Sequence, residues 1–230
     1  MVEAQPSIEV FNVVIREPVT SLTDVLVAVI CLMAYFSLKR MSLRNEVHRL
    51  FMYYFLTMSA ATFLGGVIGH AFLEYLPFLA KIPGWITSML SVALLERTVI
   101  QYTRSIVSPK LGNFLAWVNI IELLTFMILA LVTLNFQFVL AHAAYGMGIV
   151  VLGFSIFIYR TEKSLGSKLM LWAVGFCIVG ATFFVFKIGI DKWFNHVDIS
   201  HVFMMIASVF YYKGGKNLSL DYERKEKSAL

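Results

Sequence analysis

The sequence predicts an all-α polytopic membrane protein, a bundle of seven transmembrane helices. Three observations carry that class. Hydrophobic residues make up 59% of the 230, whereas soluble domains hold about 45–50% even with glycine counted. Charged residues are only 14%, well below the usual quarter. The apolar stretches run for about 20 residues, the length a helix needs to cross about 30 Å of hydrocarbon. A barrel would instead show short alternating segments. The mean hydropathy is +0.78.

The elements follow in chain order. Residues 1–17 read as a short outer N-terminal segment with neither the basic region nor the apolar stretch of a signal peptide, so the first span is expected to serve as insertion signal. Seven spans are predicted at 18–38, 50–75, 84–103, 113–134, 138–159, 168–189 and 197–213. Turn chemistry separates them: "KIPG" precedes the third, "SPKLGN" the fourth and "RTEKSLGSK" the sixth. The fourth and fifth meet at "NFQF", a tight hairpin. Residues 18–213 thus form one helical domain, and "GGKNLSLDYERKEKSAL", 214–230, reads as a polar, mobile tail.

Lysine and arginine positions orient the chain. Fourteen of the 19 fall on the side holding the 1–2, 3–4 and 5–6 loops and the tail. Four (Arg16, Lys81, Lys187 and Lys192) fall on the other side, and Arg97 lies inside a span. The positive-inside rule then places the N-terminus outside and the C-terminus in the cytoplasm. The localisation expected is an integral, multi-pass membrane protein, in the plasma or inner membrane if the source is prokaryotic. The net charge of +5 reflects these loops. No basic stripe with interleaved aromatics points to nucleic acid; membrane lipids are the expected partners. Cys31 and Cys177 fall mid-span among apolar residues, as buried packing residues do, and suggest no disulfide scaffold or cysteine metal site.

Ionisable side chains inside a span cost several kcal/mol, from about 2.5 upward, so each is a functional candidate. Glu17, Thr20, Ser21 and Asp24 open the first span along one face. Pro18 suits the first helical position, and acids suit a helix N-terminus. Asp24 lies too deep, about 9–10 Å in at 1.5 Å per residue, for the dipole to explain it. His70 stands near the outer end of the second span, after Gly65, Gly66 and Gly69, a small-residue surface for a neighbouring helix. His142, in "LAHAAYG", lies about one turn into the fifth span.

The stretch "NHVDISHVF" opens the seventh span. His196 and His201 are five positions apart, which turns them about 140° from each other on a regular helix. Asp198 and His201, three apart, share a face. Asn195 is placed to cap the helix, with Asp198 at its third position. Asp24, His70, His142, Asp198 and His201 therefore all fall in the outer half, from four spans. Imidazoles and carboxylates with an open position suit catalytic zinc. Such an ion acidifies its water, and Asp24 or Asp198 is placed to act as base or orienter. A second polar group, Glu96, Arg97, Asn119 and Glu122, lies in the inner half, with an Arg97–Glu122 ion pair expected.

This layout resembles the CREST superfamily of seven-span membrane hydrolases, which includes alkaline ceramidases and the progestin/adipoQ receptors. "REPVTSLTD" looks like the acidic Glu-Pro segment that leads into the first span of alkaline ceramidases, with Glu17 as orienter or cation ligand. "GVIGHAFL" looks like the second-span Ser-x-x-x-His motif, with Gly66 at the serine position and His70 as zinc ligand. "VDISHVF" looks like the seventh-span His-x-x-x-His motif, with Val197 at the first position and His201 at the second. The resemblance implies zinc held by His70 and His201, with Asp198, His196 or His142 completing the set. It also implies a lipid amide or ester hydrolase. The alternative expectation is a non-catalytic lipid-binding or receptor-like bundle, its outer polar cluster structural.

Overall fold

A computed structural model describes residues 5–228. A two-stranded antiparallel hairpin comes first, β1 (Ile8–Val10) and β2 (Val13–Ile15), with Ile8 opposite Ile15. Its two turn residues, Phe11 and Asn12, both have positive φ, 50° and 64°. That geometry matches the twist of a tight hairpin.

Helices make up the rest: α1 (Pro18–Met41), α2 (Glu46–Leu64), α3 (Ile82–Thr103), α4 (Pro109–Thr133), α5 (Gln137–Tyr145), α6 (Leu152–Glu162), α7 (Leu165–Val185) and α8 (His196–Ser228). Two π-helical segments interrupt the rods: Gly65–Ala71 extends α2, and Gly146–Val151 joins α5 to α6. The described residues therefore form seven rods. Six of them, Pro18–Met41, Glu46–Ala71, Phe78–Thr103, Pro109–Thr133, Gln137–Glu162 and Leu165–Val185, are long and apolar enough to cross a membrane. The seventh, α8, is a mixed helix whose apolar first half runs into a charged second half.

Consecutive rods pack side by side, and α8 returns to pack on α1 and α2 as well as α7, closing the bundle. Its core includes Cys31, Leu38, Phe51, Tyr54, Leu95 and Tyr211. Large apolar side chains face outward elsewhere: Met33, Phe63, Trp117, Ile128 and Val132 are all more than half exposed. Apolar surface on that scale needs lipid or a partner to cover it.

Residues 214–228 are not a loose tail but continue α8, with Leu218, Ser219 and Tyr222 buried. Paired glycines read as a helix stop. Here they are contact points: a Cβ at Gly214 would lie 3.1 Å from the Gly166 carbonyl, and one at Gly215 would lie 2.7 Å from the Phe51 ring. Side-chain bonds then fasten the segment. Asn45 donates to the Ser219 carbonyl at 3.1 Å, Ser164 donates to Asp221 at 2.9 Å, and Lys225 pairs with Glu162.

Candidate functional site

Most of the sequence candidates meet at the end of the bundle that carries the hairpin. Glu17 precedes α1 in a left-handed conformation, φ 43° and ψ 54°. For a non-glycine residue that costs about 1–3 kcal/mol, and a residue before proline is disfavoured there too. The conformation sets the Glu17 carboxylate 2.5 Å from His70 Nδ1. This hydrogen bond holds the Glu17 carboxyl below its ordinary range, against the opposing pull of burial. His70 itself lies within the π-helical segment, where the widened turn breaks the regular α spacing; such segments often mark functional positions.

Asp24 lies between the two histidines. One of its carboxylate oxygens is 3.7 Å from His70 Nε2, the other 3.3 Å from His201 Nε2. The Asp24 side chain is 8% exposed. Thr23 Oγ1 lies 2.9 Å from His201 Nδ1. Each histidine thus has Nδ1 held by a partner and Nε2 turned toward one carboxylate. Gly66 explains how α1 comes so close: a Cβ there would meet the Ser21 carbonyl oxygen at 2.8 Å and Asp24 Cβ at 3.0 Å. A serine at this position would collide with the α1 backbone.

Asp198 belongs to the same end but has other work. Its carboxylate accepts from Thr20 Oγ1 at 2.7 Å, from Gln5 Nε2 at 3.0 Å and from the Asn195 N–H at 2.7 Å. Asn195 in turn accepts from the N–H groups of Val197 and Asp198. That reciprocal pair is a capping box. Asp198 therefore fixes the start of α8 and ties it to α1. Gln5 also accepts from the Val19 and Thr20 N–H groups, two of the otherwise unpaired donors at the start of α1. No sequence signal marks Gln5.

His196 and His142 do not join this group. His196 packs against the Phe184 ring at 5.8 Å, and its buried Nδ1 has no partner among the described residues. His142 lies mid-bundle. Its Nδ1 is 2.7 Å from Glu122 Oε1, and its Nε2 is 2.9 Å from the Met89 carbonyl oxygen. The expected Arg97–Glu122 pair is replaced by this one. Arg97 instead donates to Asn119 Oδ1 at 2.9 Å and to the Ala116 carbonyl at 2.5 Å. Depth counted along an axis fixes neither the tilt of a helix nor its rotation, so it could not pair α4 with α5.

Glu96, on α3 and fully buried, completes the second cluster. The ligand atoms of Glu96, Glu122 and His142 all lie within 4.8 Å of one another, the one such group of three among the described residues. The hairpin-end group is wider. Beside Glu96 a lateral cavity of about 380 Å³ opens between α3, α4 and the rod of α5 and α6. Its lining is apolar except for Glu96, Asn119 and Tyr145.

An all-helical bundle with six spanning-grade helices and buried polar clusters is a membrane protein. The chain belongs to a family of unknown function, DUF6962, whose family model matches residues 19–220. No curated protein and no solved structure matches it.

Proposed function

We propose that this is a seven-span, zinc-dependent membrane hydrolase acting on a lipid amide or ester, with its N-terminus outside and its site near the outer face. The single observation that carries the reading is the arrangement around Asp24. Two imidazole Nε2 atoms from different helices face the two oxygens of one buried carboxylate, at 3.3 and 3.7 Å. A tetrahedral ion with bonds of about 2.0–2.1 Å separates its ligands by roughly 3.3 Å; the His201–Asp24 spacing matches this, and His70 must draw in from its wider position to close the set. Two histidines and a carboxylate are a known catalytic zinc set. Metal-binding histidines have their other nitrogen held by an oxygen, as Glu17 and Thr23 hold these. Zinc in such a setting polarises a carbonyl and acidifies water.

In this reading His70, His201 and Asp24 hold the ion, and Glu17 and Thr23 orient the rings. The resemblance to the CREST hydrolases gives the reaction class. Gly66 and Val197 depart from that pattern, and α1 supplies in their place a carboxylate, Asp24, and a hydroxyl, Thr23. The test is zinc content and turnover of long-chain lipid amides and esters by the purified protein in nanodiscs. Wild type should carry zinc and hydrolyse one of the classes, and His70→Ala/His201→Ala should lose both. A folded wild type that neither binds zinc at His70 and His201 nor turns over lipid overturns the proposal. A second reading, a non-catalytic ligand-binding bundle, is favoured by the wider spacing of this group and takes that outcome.

A further inference from the structure

We infer that Glu96, Glu122 and His142 form a second, separate site that binds one divalent transition cation in the middle of the bundle. The inference does not depend on the zinc site proposed above. It starts from an imbalance. Two carboxylates and an imidazole are packed together where water is scarce, and unpaired ionised groups there are very costly. Arg97, the adjacent cation, points its guanidinium at Asn119 and Ala116 instead.

The free lone pairs are the second observation. Glu96 is 0% exposed, yet its Oε1 has no hydrogen-bond partner; Glu122 Oε2 is likewise buried and unpartnered. Buried carboxylate oxygens are almost always satisfied. The remaining atoms are already arranged as supports. Asn119 Nδ2 donates to Glu96 Oε2 at 3.1 Å. The Met89 carbonyl can only accept, so His142 Nε2 carries a hydrogen; Nδ1 faces Glu122 Oε1 at 2.7 Å, and an ion bound between them takes the place of the proton they share. This is the orientation a metal-ligating histidine takes.

Gly146 makes the room. A Cβ there would run into Glu96 Oε1 and come within 2.6 Å of Val92, and the residue opens the second π-helical segment. Two carboxylates and a neutral imidazole carry two negative charges, matched by one divalent ion. A nitrogen ligand favours zinc or iron over calcium and magnesium, which take oxygen. Glu96 also lines the lateral cavity, so a coordination position on the ion would face an apolar space.

The test uses the full chain in nanodiscs, stripped with chelator and titrated with Zn²⁺ or Co²⁺. Bound metal is counted by elemental mass spectrometry, and cobalt is followed by its visible absorption. His70→Ala/His201→Ala should still bind one equivalent saturably, whatever becomes of the first site. Adding Glu96→Gln or His142→Asn to that variant should abolish the remaining equivalent, and Mg²⁺ should not compete at equal concentration. The outcome that overturns the inference is no saturable binding in His70→Ala/His201→Ala, or binding unchanged by the added substitutions. Because the decisive measurement is made without altering the second cluster, a misfolded Glu96 or His142 variant does not remove it.

Discussion

The two polar clusters of this bundle are built from the same parts and differ in what closes them. At the hairpin end, Glu17, His70, Asp24, His201 and Thr23 form a chain in which each group faces the next. In mid-bundle, Glu96, Glu122 and His142 are drawn closer together, but two carboxylate oxygens are left without partners. Both clusters sit at a π-helical segment, and at both a glycine gives up its side chain to a carboxylate. The lesson is that a buried acid needs space as well as a partner, and the helix is locally rebuilt to provide it. One cluster holds its two imidazoles with oxygens of its own; the other leaves buried carboxylate oxygens without partners.

The comparison is broken most forcefully at the glycines. Gly66→Val and Gly146→Val each drive a side chain into a close contact, and overpacking of this kind costs about 1–3 kcal/mol or more. Unfolding in detergent should show the loss for both. Only Gly146→Val should also weaken metal binding at Glu96.

Removing one carboxylate from each cluster tests their independence. Asp24→Ala should remove the zinc assigned to His70 and His201 and leave metal binding by the mid-bundle site unchanged, both read by elemental mass spectrometry. If Asp24→Ala abolished that binding, the clusters would be one system and the comparison would fail.

Asp198→Ala sharpens the division between scaffold and site. It removes three donors' acceptor and half of a capping box. A loss of about 1–2 kcal/mol is expected in unfolding experiments. The zinc content assigned to His70 and His201 should persist.

The smallest effect is the pH dependence of Glu17. Its folded carboxyl titrates below the ordinary value of about 4.3 because of the bond to His70. Its stabilising contribution is therefore present above that value and lost as pH falls through the lower folded one. Since Glu17 is about a third exposed, the contribution is small. Melting measured between neutral pH and pH 3 should show an acid step that Glu17→Gln diminishes.

How much of this was legible beforehand can be judged residue by residue. The positions of the rods were readable from apolar runs and turn chemistry, because burial in lipid imposes length on composition. Asn195 and Asp198 were readable as a cap, since capping is local. The facing of His70, Asp24 and His201 was readable only as a shared level. Gln5 and the Thr23–His201 bond carry no pattern, being contacts between residues up to 193 positions apart. His142 was placed with the wrong neighbours because its partner depends on how α4 and α5 lean on each other.

By itself, then, the sequence determined that this chain is helical, long-spanned and fit for a membrane, with ionisable groups too expensive to be idle. Apolar content and periodicity act through the solvent, which every segment meets separately. Only the tertiary structure decided which acid meets which histidine, that the polar end of α8 packs instead of trailing, and that Gly66 and Gly146 are gaps made for carboxylates. Those outcomes depend on tilt, rotation and close approach between helices, and these are fixed by all the contacts at once.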